Sequence, residues 1–180
     1  MTIDQDYVFS HQAKIIAAIK RGAIFIYPTD TIYGLGCDAT NEVAVQKIRS
    51  IKIRDEKPFS VVVPNKQWIL DNCIVPDLSK LDFLPGPYTL ILKMKNKNIV
   101  AENVSFGDTL GVRIPDNWFS KIVEESGVPF VSTSVNISGE KHMERFEDVP
   151  QSILDQVDRV VYEGEKRGES STKIDLTQLQ

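Results

Sequence analysis

Cysteine and histidine are scarce in this chain of 180 residues: Cys37 and Cys73, His11 and His142. Two thiols so far apart form neither a disulfide framework nor a zinc pattern, and the histidines do not complete a metal cage with them. The thiols are expected to be buried or half-buried and free, and no Ser-His or Cys-His pair is in sight for covalent catalysis. No apolar run approaches the ~20 residues that cross a bilayer. The polar start, Met1 to Gln12 with Asp4 and Asp6, reads as neither a secretory signal nor a transit peptide, so the chain is expected to be cytoplasmic and off the membrane. GxxxxGK[ST], GxGxxG and GxSxG are all absent, so a bound nucleotide would be held by a less common arrangement. A basic excess is missing too: 21 Lys and Arg face 25 Asp and Glu, for a net charge of −4. That balance argues against a non-specific nucleic-acid binder.

What is present fits one globular domain. Hydrophobic residues make up 42% and charged residues 26%, ordinary values for a folded protein of this size. We read residues 1–180 as a single domain with its core at about 10–177. Helical and strand patterns alternate, which predicts an α/β fold. Ser10 is expected to cap a helix to Arg21, and Thr40 or Asn41 a second with Val45, Ile48 and Ile51 inward. Further helices are predicted over 65–71, 76–84, 118–126 and 150–157. Strands are predicted over 23–27, 59–63, 88–94, 110–114, 129–132, 159–162 and 172–176.

Chemistry concentrates where strands end. Residues Tyr27 to Cys37 hold Pro28, Thr29, Asp30, Thr31, Gly34 and Gly36 directly after an apolar strand. A plain turn needs one or two such residues. Six in eleven predict a polar ligand loop at a strand end, with glycine-freed backbone amides. From Lys47 to Lys57 the chain carries Lys47, Arg49, Lys52, Arg54 and Lys57 against Asp55 and Glu56, a local basic patch suited to a small anion. Lys52 and Arg54 do not share a helix face, but if the helix ends there both can turn to one phosphate. The alternative is a solvated helix end whose cations favour the dipole. Arg113, between Val112 and Ile114, is either a satisfied ion pair or a carboxylate clamp. Ser132, Ser134 and Asn136 share a face if extended, and otherwise form a Ser/Asn turn. Gly168 to Leu176 offers one more polar strand end.

The ordered motifs YPTDTIYGLGCDA, KIRDEKPFSVVV, LPGPYTLIL, LGVRIP, PFVSTSVNISGE and SSTKIDL resemble the YrdC-like family, from about Gly22 to Leu176. The resemblance implies a single-domain twisted, mixed sheet with flanking helices and a large concave cavity. It implies a nucleotidyltransferase activity, joining L-threonine, bicarbonate and ATP into threonylcarbamoyl-AMP and pyrophosphate. That product serves tRNA threonylcarbamoyladenosine modification, with hand-over to the tRNA threonylcarbamoyl transferase complex and tRNA or double-stranded RNA as a partner. By resemblance Lys52 and Arg54 are catalytic and meet the nucleotide. Thr31, Arg113, Ser134 and Ser171 bind threonine, and Ser134 and Asn136 contact nucleotide. Lys57 and Thr109 are further nucleotide candidates. Mg²⁺ is expected to arrive with ATP, since no carboxylate cluster is built to hold it. Asp55 after Arg54, Val62 where a histidine is usual, Thr133 opening the Ser-x-Asn motif, and Lys173 at an apolar position all lean toward the YciO-like branch. An RNA-binding module on the same fold, and an ATP-dependent enzyme for another amine, remain open readings.

Overall fold

Local chemistry sets most helix starts. Asp4 accepts the amide of Tyr7 at 2.8 Å and opens α1 (Gln5–Ser10). The chain breaks at His11, and α2 (Gln12–Lys20) follows. The helix expected from Ser10 to Arg21 is α2, which starts one residue later at His11 because Ser10 is the last residue of the unexpected α1. Asn41 accepts the amide of Ala44 at 3.0 Å and opens α3 (Glu42–Lys52), with Val45, Ile48 and Ile51 buried as predicted. Asn65 caps α4 (Lys66–Asn72) in the same way. The helix expected over 76–84 is a 3₁₀ segment, Leu78–Phe83, in which Leu81 alone is buried; one inward residue gives no stripe to hold an α-helix. The chain's computed structural model describes residues 1–54 and 56–179; Asp55 and its effect on the basic segment lie outside the described residues, as does Gln180.

Among the described residues the strands are β1 (Thr2–Ile3), β2 (Phe25–Tyr27), β3 (Gly34–Gly36), β4 (Ser60–Val62), β5 (Cys73–Ile74), β6 (Tyr88–Met94), β7 (Thr109–Arg113), β8 (Phe130–Ser134), β9 (Arg159–Val161) and β10 (Thr172–Asp175). They join in the order β1-β9-β2-β3-β8-β4-β7-β6-β10, with β5 on β6. The sheet is mixed: β2 lies parallel to β9 and antiparallel to β3, and β4 lies parallel to β7 and antiparallel to β8. Two remaining helices are α5 (Phe119–Ser126) and α6 (Gln151–Leu154), the latter a single turn where a longer helix was expected.

Each sheet face has its own core. One packs Ile24, Ile26, Leu35, Val61, Val112 and Val131 against the inward row of α3. The other buries Phe25, Tyr27 and Phe130 with Phe119, Ile122 and Val123 of α5, and with Ile15 and Ile19 of α2. Ile3 and Val8 are also buried there. Cys37 and Cys73 are buried and free; burial pushes the Cys37 thiol up and the Cys73 thiol to about 11.

β3 was read from the sequence as polar loop. Its glycines do not have positive φ; they permit close approach. A Cβ on Gly34 would stand 2.6 Å from the Tyr27 ring, and one on Gly36 would stand 2.1 Å from the Val131 carbonyl oxygen. A glycine-rich strand looks like a loop in one dimension because its reason is a neighbour far along the chain.

Candidate functional site

The second face is covered by α2 and α5 at its aromatic end only. Beyond them the same face carries small residues. Gly34 pairs with Ser134, Ser132 with Ser60, and Ser60 with Gly111. These leave an open hollow of about 190 Å³, floored by hydroxyls and lacking bulk.

The tip between β2 and β3 walls one side. Thr29 is buried and donates its hydroxyl to the Ile32 carbonyl at 2.6 Å while accepting the Thr31 amide at 3.1 Å. Its proton is thereby used, so the Thr31 hydroxyl donates to it at 3.1 Å. Arg113, at the end of β7, donates to Thr31 Oγ1 at 3.3 Å and forms an ion pair with Asp30 at 2.5 Å. Asp30 also accepts the amide of Asp116 at 2.9 Å. Arg113 is 4% exposed, and its buried Nε has no partner among the described residues. Arg113 is thus the satisfied ion pair, and it also lines the hollow.

The end of α3 supplies the second wall. Ile53 takes φ 51°, a left-handed conformation that strains a β-branched residue and turns the chain sharply. Lys52 and Arg54 therefore leave in different directions. Arg54 lines the hollow, with its Nη2 on the Pro58 carbonyl at 2.6 Å and its guanidinium 4.9 Å above the Phe59 ring. Lys52 does not line it. Its ammonium is buried, donating to the Ser134 carbonyl at 2.7 Å and to Asn136 Oδ1 at 2.5 Å. Burial, then the charges of Arg54 and Lys57, push the Lys52 pKa down to about 7. Asn136 donates in turn to the Glu140 carbonyl at 2.5 Å and accepts the Ser134 hydroxyl at 2.7 Å. The Lys52 and Asn136 side chains thus build the wall from behind, while Ser134 faces the hollow.

Arg49 was counted from the sequence in a surface patch, and the structure corrects this. It is 2% exposed, its guanidinium lying 4.3 Å from the Phe59 ring centre and 4.6 Å from that of Phe106. It donates to the carbonyls of Asn103 (2.7 Å), Arg54, Lys57 and Val104 (each 3.1 Å). With Arg49 and Lys52 both buried, the patch dissolves into one clamp, one wall cation, Arg54 and Lys57 in the hollow, and Lys47 exposed on α3 away from it. Arg49→Leu is expected to lower unfolding free energy by about 3 kcal/mol or more, because several buried carbonyls lose a charged donor. Urea denaturation measures the loss.

Lys57 lines the hollow, as does Ser171, whose hydroxyl is 2.6 Å from that of Thr89. Thr109 does not join them. It sits at the opposite end of β7 from Arg113, paired with Lys93, roughly 13 Å away at the usual strand rise. Sequence reasoning missed Ser60 and Thr89, each lost in an apolar strand. Strand alternation could have placed both on one face once the neighbouring strands were known. The described lining carries Arg54, Lys57, Arg113 and Lys173 and no Asp or Glu, in a chain of net charge −4.

The Sua5, YciO and YrdC family profile, described as telomere recombination, matches residues 17–180. A threonylcarbamoyl-AMP synthase of Idiomarina loihiensis is 36% identical over 166 residues, covering 88% of each chain. The fold superposes on Pyrococcus abyssi Sua5 complexed with L-threonine with a TM-score of 0.85 and 26% identity, over 98% of this chain and 54% of that one. This chain therefore spans about half the length of that Sua5. Escherichia coli YciO superposes with a TM-score of 0.81 and 25% identity, over 99% of this chain and 90% of the other. No helix among the described residues is long and apolar enough to cross a membrane.

Proposed function

Because the chain belongs to the family of Sua5, YciO and YrdC proteins, we propose that it joins L-threonine, bicarbonate and ATP into threonylcarbamoyl-AMP with release of pyrophosphate. The observation that carries this reading is the hollow: four cations, a floor of hydroxyls and no acid among its described lining. Such a surface favours a ligand with several negative charges and hydrogen-bonding edges. In the proposed reaction the amine of threonine adds to bicarbonate, losing water to give a carbamate. A carbamate oxygen then attacks the α-phosphorus of ATP, and pyrophosphate leaves. Arg113 holds the threonine carboxylate, with Thr31 and Ser171 beside it. Arg54 and Lys57 meet the phosphates, and the Lys52 charge supports Ser134 from behind.

No covalent enzyme intermediate is needed. Holding the reactants in line supplies up to roughly 7–11 kcal/mol of the barrier in well-oriented cases, and preorganised charge supplies a further large share. Magnesium would come in on the nucleotide, since no three His, Cys, Asp or Glu side chains cluster among the described residues. The product is a mixed anhydride and a carbamoyl donor. We place its consumption in a separate transferase acting on tRNA.

The test is incubation of the purified protein with ATP, bicarbonate and each amino acid in turn, with mass spectrometry of the acyl-adenylate and assay of pyrophosphate. Threonine is expected to give both products. Pyrophosphate with a different amine alone would reassign the substrate, and none with any would end the enzyme reading.

A further inference from the structure

Lys173 sits on the edge strand β10 beside Thr89 of β6. On β6 the next residue, Leu90, faces Val112, so Arg113 falls on the other side of Thr89. Neighbouring strands are about 4.8 Å apart, which sets the Lys173 and Arg113 backbones about 10 Å apart across Thr89. Alternation sends Ile174 to the core and Lys173 to the hollow. Between the two cations lies the Thr89–Ser171 hydroxyl pair, 2.6 Å apart. With the buried Thr89 donating to Ser171, the Ser171 proton is left for an acceptor in the hollow. Arg113 is ion-paired to Asp30; Lys173 has no ion pair among the described residues.

We infer that Lys173, with the Thr89–Ser171 pair, forms an oxyanion subsite that takes a carboxylate, bicarbonate or phosphate group lying beside the one at Arg113. The inference deepens the reading proposed above and rests on it for the identity of the substrates. A lysine on an edge strand also serves simply to block edge-to-edge pairing, and that is the outcome to be excluded.

The experiment compares the full chain with Lys173→Ile and Lys173→Arg. Lys173 is exposed, so both variants are expected to fold. Calorimetric titrations use ATP, AMP, L-threonine and L-aspartate as probes, and turnover is measured against bicarbonate concentration. Lys173→Ile is expected to weaken one oxyanion by about tenfold, the scale of a charged hydrogen bond, while Lys173→Arg stays within about twofold. Loss for ATP without loss for AMP assigns a distal phosphate. A raised KM for bicarbonate assigns that ion, and a loss confined to aspartate assigns a side-chain carboxylate. All values within about twofold in both variants would overturn the subsite. The titrations do not need turnover, so a wild-type chain that makes no adenylate counts against the proposed function and leaves the subsite to be judged by binding.

Discussion

Arg113→Gln is expected to lower threonine-dependent pyrophosphate release by at least about two orders of magnitude, and to lower stability as well. Both effects come from one pair. The side chains of Arg113 and Asp30 are 5% and 11% exposed and meet at 2.5 Å. Removing one member of a buried pair strands the other charge, at about 3–5 kcal/mol; here Asp30 keeps the Asp116 amide alone among the described residues. The activity loss has a separate origin. Glutamine cannot reproduce the charged fork that donates at once to Thr31 and Asp30. The double variant Asp30→Asn with Arg113→Gln separates the two: it is expected to recover most of the stability and none of the activity. Urea denaturation and threonine-dependent turnover, measured on both variants and the unaltered chain, check this. Full activity in Arg113→Gln would remove the residue from the site.

Lys52 and Arg54 are the second test, because the structure assigns them different work. Both Lys52→Met and Arg54→Ala are expected to cut turnover by at least about an order of magnitude. Lys52→Met should also destabilise the fold by about 2–3 kcal/mol, since the Ser134 carbonyl loses its charged donor and the Asn136 amide oxygen keeps only the Ser134 hydroxyl among the described residues. Arg54→Ala should stay within about 1 kcal/mol, its guanidinium being half-buried and bonded to loop carbonyls alone among the described residues.

The pH dependence follows from the same burial. The Lys52 pKa of about 7 lies below its ordinary 10.5, so between those values the unfolded chain binds more protons than the folded one. Stability from this group rises with pH through that window, and its penalty is complete below about pH 7. Lys52→Met should flatten the rise. A polyphosphate beside Ser134 favours the charged form, so ATP binding should take up protons just above pH 7. Calorimetry in buffers of different ionisation heat detects the uptake, and its persistence in Lys52→Met would refute the assignment.

The sequence made the start of α3 at Thr40 or Asn41 legible, along with the short helix near Asn65, the inward row of α3 and the whole of β6, since each depends on residues within a few positions. It also displayed the polar strand ends that become the walls of the hollow. It misassigned the glycines of β3 and the hydroxyls of 133–134, which are strand. Both segments look irregular until the Tyr27 ring and the paired strands are in place.

By itself the sequence determined most of the longer helices and strands and the set of cations from which an anion site could be built. Tertiary structure decided which of those cations face a ligand. Arg49 holds backbone 54 and 55 positions away, and Lys52 meets residues 82 and 84 positions away. Charge is a property of one residue, but burial depends on everything that folds around it. A list of cations therefore becomes a site only when the chain closes on itself.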